Sequence, residues 1–268
     1  MKISPKCIIL LAASSLKLCS GFGVQKSSNA VHSSTSLNVV NTDYLSKLSP
    51  ISLNGVSAGV GHNTVSTSKR RPILAGNWKL NPTTRKEALE LLSGLKANSN
   101  DAEVVIFPPL PFLFDAISML EGTGIKVGAQ TASSYTDGAF TGEVSPSMLA
   151  TAGCAYVLLG HSERRTLFGE TDTSINDRLK ACMREADLKV ILCVGETLSE
   201  YESGLLNSVV DTQVRKGLAG VSAKDLLDGR VVIAYEPVWA IGTGLVATPN
   251  QVCVVFRVSF ICRIIIHT

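Results

Sequence analysis

The 268-residue sequence predicts a parallel α/β fold, a (β/α)8 barrel of which about six of the eight β/α units are present. Three observations point there. From residue 72 onward, short apolar runs alternate with amphipathic segments, the pattern of parallel strands joined by crossover helices. The runs are apolar along their whole length, as strands covered on both faces must be. The polar residues gather just after the runs, at the strand ends where a barrel builds its sites.

In chain order, the first run is Ile73-Leu74-Ala75-Gly76, followed by Asn77-Trp78-Lys79. A helix follows Asn81-Pro82-Thr83-Thr84, with Leu89, Leu92 and Leu95 on one face. The next runs are Val104-Val105-Ile106-Phe107, Lys126-Val127-Gly128-Ala129 and Tyr156-Val157-Leu158-Leu159-Gly160. The last of these leads into His161-Ser162-Glu163-Arg164-Arg165. A second helix follows Asp172-Thr173, with Ile175, Leu179, Cys182 and Met183 aligned. The fifth run, Val190-Ile191-Leu192-Cys193-Val194, ends in Gly195 and Glu196. The sixth, Val231-Val232-Ile233-Ala234, ends in Tyr235-Glu236-Pro237. Pro237 disfavours helix at Glu236 and stops the strand there. The apolar stretch beyond it is closed by Gly242 and Gly244 and reads as a lid. Alternation alone fits a doubly wound sheet equally well. That fold would call for GxGxxG after the first strand, and Gly76-Asn77-Trp78-Lys79 is not that. Polar groups after four separate strands favour the barrel.

The net charge of +3 is unevenly spread. Residues 1–71 hold Lys2, Lys6, Lys17, Lys26, Lys47, Lys69, Arg70 and Arg71 against Asp43 alone, and the remainder carries a net −4. A mildly acidic main domain argues against nucleic acid as a partner. The seven cysteines show no CxxC spacing and no His at metal-ligand spacing, so neither a disulfide framework nor a metal site is indicated. Cys182 and Cys193 lie in apolar contexts and read as small buried hydrophobes.

Residues 1–70 read as a targeting presequence, disordered and outside the fold. Met1 to Lys6 is basic, Cys7-Ile8-Ile9-Leu10-Leu11-Ala12-Ala13 is a short apolar core, and small residues follow near Cys19-Ser20-Gly21. Beyond Val24 the chain is rich in Ser, Thr, Asn and Val and nearly free of acid, like a transit peptide. A signal-like segment followed by a transit-like one is similar to the two-part presequences of plastid proteins. Secretion, a mitochondrial address or a cytoplasmic location are the alternatives.

Taken singly, each polar residue has an ordinary explanation. Lys79 fits a solvated lysine, His161 a satisfied structural histidine, and Glu236 a strand-end acid paired with a base. Arg164-Arg165 fits a pair bridged to Glu163, Glu196 or the next helix. Together they are more specific. Gly76-Asn77-Trp78-Lys79, Gly160-His161-Ser162-Glu163-Arg164-Arg165 and Tyr235-Glu236-Pro237-Val238-Trp239-Ala240-Ile241-Gly242-Thr243-Gly244 resemble the three signature stretches of the triosephosphate isomerase family, in the family's order. Phe140-Thr141-Gly142-Glu143-Val144-Ser145-Pro146 resembles its loop after strand three, which reaches into a partner subunit. The resemblance runs from about Pro72 to Gln251.

The resemblance implies interconversion of dihydroxyacetone phosphate and glyceraldehyde 3-phosphate, in glycolysis, gluconeogenesis or the Calvin cycle, with no cofactor and no metal. It makes Glu236 the base and His161 the neutral electrophile. Lys79 becomes the fixed positive charge for the substrate's phosphate and the developing oxyanion, and Asn77 positions both. Glu163 orders the lysine, and Cys193 supports the site. The lid would run from Pro237 through Trp239, Ile241, Gly242 and Thr243 to Gly244, its glycine amides binding phosphate. Thr141 would sit in a homodimer contact. The substrate is a small molecule, with neither nucleic acid nor membrane as partner.

The sequence also departs from the family. The barrel domain reads as residues 71–251, and the family's last two strand–helix units do not follow. Thr248 and Pro249 suit a helix start, but residues 252–268 are almost wholly apolar, with Arg257, Arg263 and no acid. Two arginines at a bilayer centre would cost about 2.5–3.5 kcal/mol each, which argues against a membrane anchor. The tail reads as non-native. The expectation is that strands one and six are left unpaired and the chain unstable or inactive. The alternative to an enzyme is a non-catalytic barrel fragment that only associates with intact subunits.

Overall fold

The computed structural model describes residues 8–13, 71–95, 102–185, 187–240 and 264–267. Six parallel strands run in chain order: β2 (Ile73–Asn77), β3 (Glu103–Phe107), β4 (Lys126–Ala129), β5 (Tyr156–Leu159), β6 (Lys189–Val194) and β7 (Val231–Tyr235). These are six β/α units of a (β/α)8 barrel. Two further strands, β1 (Ile8–Ala13) and β8 (Ile264–His267), close the ring. β8 is parallel to β7, whereas β1 is antiparallel to both β2 and β8.

That closure corrects one expectation. β2 and β7 are not left unpaired: Ile8 faces Asn77 across the β1–β2 ladder, and Ile264 faces Ile233 across β7–β8. β1 falls within the segment read as a signal-like core, and β8 within the apolar tail. A six-residue apolar run cannot be told from a short strand by periodicity alone.

Between the parallel strands lie α1 (Arg85–Gly94), α2 (Leu113–Met119), α3 (Pro146–Ala152), α4 (Ser162–Phe168), α5 (Asp172–Met183), α6 (Leu198–Glu202), α7 (Leu206–Gly217) and α8 (Ala223–Leu227). Local chemistry sets their starts. Thr84, Thr171 and Thr197 each accept from the backbone N–H three residues on, and that residue reaches back to complete a capping box. α1 buries Ala88 and Leu92, while Leu89 and Leu95 sit at its margin; α5 buries Ile175, Leu179 and Cys182. Among the described residues, no helix is long and apolar enough to cross a membrane.

The strand period of two sorts the core into two layers. Ile73, Ala75, Val105, Phe107, Tyr156, Leu158, Ile191, Cys193, Val232 and Ala234 fill the barrel interior. Their neighbours, such as Ile106, Val157, Leu192 and Ile233, pack outward with the helices. Each fully buried aliphatic side chain contributes about 1.5–3 kcal/mol. Gly128 makes room for Phe107: a methyl there would lie 2.4 Å from the ring. The same parity continues past the strand ends. Asn77 follows Ile73 and Ala75, and Glu236 follows Val232 and Ala234. Both are therefore directed to the inside of the rim.

Candidate active site

At the rim, Glu236 is 1 % exposed and His161 3 %. Glu236 Oε1 lies 3.3 Å from His161 Nε2. The other carboxylate oxygen, Oε2, accepts from the Ser162 backbone N–H at 3.2 Å. Glu236 Oε1 and His161 Nε2 are both buried without a well-aligned hydrogen bond, although each faces the other. Buried polar atoms are rarely left so, and the exceptions cluster where chemistry is done.

The tautomer follows from the backbone. His161 caps α4, and its Nδ1 accepts the Glu163 N–H at 3.2 Å. Glu163 Oε2 is 3.5 Å from the same nitrogen. Because the other Glu163 oxygen is engaged by Lys79, the backbone N–H is the stronger partner. In neutral imidazole an accepting Nδ1 leaves the proton on Nε2, the atom that faces Glu236.

Lys79 Nζ lies 2.7 Å from Glu163 Oε1, with the two side chains 18 % and 43 % exposed. Contacts thus run from Lys79 through Glu163 and His161 to Glu236. Lys79 is in the left-handed region, φ 54°, where a non-glycine residue stores about 1–3 kcal/mol. Its N–H donates to Asn77 Oδ1 at 2.9 Å, and its carbonyl accepts from Gln130 Nε2 at 2.9 Å. The same amide donates to the Phe107 carbonyl at 2.8 Å. Asn77 is buried, and Gln130 is a clamp that sequence reading passed over.

The segment after β6 brackets Glu236. Val194 accepts the Glu236 N–H at 2.8 Å. Gly195 packs so closely that a methyl on it would lie 1.7 Å from the Glu236 carbonyl oxygen. Glu196 is fully buried, and its Oε1 accepts from Tyr235 Oη at 2.9 Å and Trp239 Nε1 at 2.8 Å. Burial pushes the Glu196 carboxyl above the usual carboxylate range, against the pull of those donors. Burial and the nearby Glu196 push the Tyr235 phenol up. Cys193 sits fully buried against Glu236, its thiol held well above its ordinary range by desolvation and then by that carboxylate.

The arginines find partners other than Glu163 or Glu196. Arg164 bonds Glu170 at 2.6 Å. Arg165 bonds Asp172, the first residue of α5, at 2.6 Å and also donates to the Gly160 and Cys193 carbonyls. Pro237 and Trp239 are buried at the start of the predicted lid; Ile241, Gly242, Thr243 and Gly244 lie outside the described residues. Thr141 is exposed in the loop between β4 and α3.

Six units of a (β/α)8 barrel with a buried carboxylate facing an imidazole at the C-terminal rim have the makings of an acid–base enzyme of the barrel class. The family model described as triosephosphate isomerase matches residues 72–263. Curated proteins of that name share much of the sequence: 50 % identity with one from Carboxydothermus hydrogenoformans, over 70 % of this chain and 76 % of that protein. One from Endomicrobium trichonymphae is 45 % identical over 68 % and 72 %, and one from Caldanaerobacter subterraneus subsp. tengcongensis 49 % over 68 % and 73 %. The chain belongs to the triosephosphate isomerase family.

Proposed function

We propose that the protein interconverts dihydroxyacetone phosphate and glyceraldehyde 3-phosphate by proton transfer through an enediolate. The reading rests on one observation above the others. Glu236 Oε1 and His161 Nε2, each buried and unsatisfied, face each other at 3.3 Å within the residues that the family model matches. Glu236 Oε1 takes the proton from the carbon beside the carbonyl, and the C–H electron pair becomes the C=C bond of the enediolate. His161 Nε2–H donates to the oxygen that gains charge. Glu236 then returns a proton to the neighbouring carbon while the hydroxyl proton passes from one enediolate oxygen to the other, so carbonyl and hydroxyl exchange places and the base is regenerated. The Lys79 ammonium attracts the phosphate and the oxyanion, with Glu163 and Asn77 setting its place. Cys193 backs the base with an uncharged wall.

A homodimer is part of the proposal. The exposed Phe140-Thr141-Gly142-Glu143 loop, with the Phe140 ring stacked on Tyr135 at 3.6 Å, supports it. The composition of residues 1–70 supports a plastid address, and with it the Calvin cycle beside glycolysis and gluconeogenesis. The test is turnover of dihydroxyacetone phosphate in D2O by the purified chain. A carboxylate that carries the proton exchanges it with solvent, so product with deuterium at the carbon beside the carbonyl is expected. Absence of turnover is what the non-catalytic fragment reading predicts. Product formed with no deuterium would overturn the shuttle.

A further inference from the structure

We infer that Gln213 is a positioning residue for the base, acting on Glu236 through the backbone of Gly195; the inference rests on the isomerase reading and deepens it. Gln213 lies on α7, in the outer helical layer, and its carboxamide grips one residue of the rim from both sides. Oε1 accepts the Gly195 N–H at 2.7 Å, and Nε2 donates to the Gly195 carbonyl at 3.1 Å. Such a two-point contact fixes the peptide planes on both sides of Gly195 as well as its position.

Gly195 is the residue through which that grip reaches the base. It lies one position beyond β6, where the ladder to β7 ends with Val194 facing Tyr235. Its Cα rests against the Glu236 carbonyl, with no room even for a methyl. On one side of it Val194 holds the Glu236 N–H, and on the other Glu196 holds Tyr235 and Trp239. A displacement of Gly195 therefore moves the backbone that carries the carboxylate. Space for that displacement exists: Gly195 and Gln213 line a cavity of about 230 Å³ with Ser162, Arg165, Thr197 and Val238. Packing alone does not hold the segment on that side; the two amide hydrogen bonds do. Positioning at this level matters because a shift of about 1 Å in a reacting group can cost on the order of 10²-fold in rate.

The test compares the unaltered chain with Gln213→Met, which keeps the length and removes both bonds, and Gln213→Glu, which keeps the acceptor but turns an ionised oxygen toward the Gly195 carbonyl. For both variants we expect kcat lowered at least about tenfold, KM within about twofold and melting temperature nearly unchanged. The primary isotope effect with substrate deuterated at the reacting carbon should grow, since a misplaced base makes proton transfer slower relative to the other steps. A merely structural role would lower activity in proportion to the folded fraction and leave the isotope effect alone; that result, or unchanged kcat, overturns the inference. If the unaltered chain shows no turnover, the isomerase reading fails and hydrogen exchange decides this one. Loss of protection at the Gly195 and Glu236 amides in Gln213→Met supports the clamp, and unchanged protection overturns it.

Discussion

The Lys79 side of the rim and the Glu236 side hold their charged groups by opposite means. Lys79 is partly buried, its backbone is left-handed, and a hydrogen bond to Asn77 and one from Gln130 clamp the peptide on either side. Glu236 is sealed in just past the end of β7, pressed by Gly195 and flanked by residues that Glu196 ties down. The difference suits the roles proposed for the two groups. An ammonium that attracts a phosphate acts through charge over several ångströms and tolerates some play. A base must meet one hydrogen at contact distance. The lysine side thus spends backbone strain to aim a flexible arm, and the glutamate side spends close packing to fix a short one.

That contrast predicts different failures. Gln130→Leu removes both bonds from the amide and frees Lys79 to relax toward negative φ. KM for triose phosphate should rise about tenfold, roughly 1.4 kcal/mol of binding, with a smaller change in kcat. A fall in kcat with KM unchanged would mean that the two sides do not differ as described. Steady-state kinetics at fixed ionic strength decides it.

A smaller effect is expected from Glu196→Gln, which keeps an acceptor for Tyr235 and Trp239 but removes the titration. Desolvation raises the folded carboxyl above its unfolded value near 4.5, so the folded chain binds that proton more tightly. The contribution is fully present below the unfolded value and is lost as pH rises through the folded one. The melting temperature of the unaltered chain, measured against Glu196→Gln, should therefore drop on the order of 2–4 °C as pH rises through that window. A difference that is constant with pH, or that grows in the opposite sense, would remove Glu196 as a strained anchor of the base side.

The strands were legible because burial on both faces makes them continuously apolar. Glu236 and Asn77 were legible because each comes at the end of such a run, and the strand period then turns both inward. The grouping of Lys79, Glu163, His161 and Glu236 came from motif resemblance, and the contacts among them need the coordinates. The clamps were not legible. Gln130 reaches a carbonyl 51 residues away and Gln213 an amide 18 away, while Glu196 meets partners 39 and 43 residues on. A lone glutamine on a helix or at a strand end carries no local signal of such a partner. The arginines were legible only as a set of alternatives: Arg165 takes the one on the next helix, Asp172, while Arg164 pairs with Glu170, which the sequence did not single out. The pairing of β1 with β2 and β8 was hidden because its six residues match a signal-peptide core as well as a strand.

The most direct test of the account is the turnover of Glu236→Asp. Shortening the side chain by about one methylene withdraws Oε1 from the place opposite His161 Nε2 without adding bulk or changing charge. The account predicts kcat lower by about 10²-fold or more, KM little changed and an intact folded state by circular dichroism. Turnover close to that of the unaltered chain would show that the proton is moved by some other group.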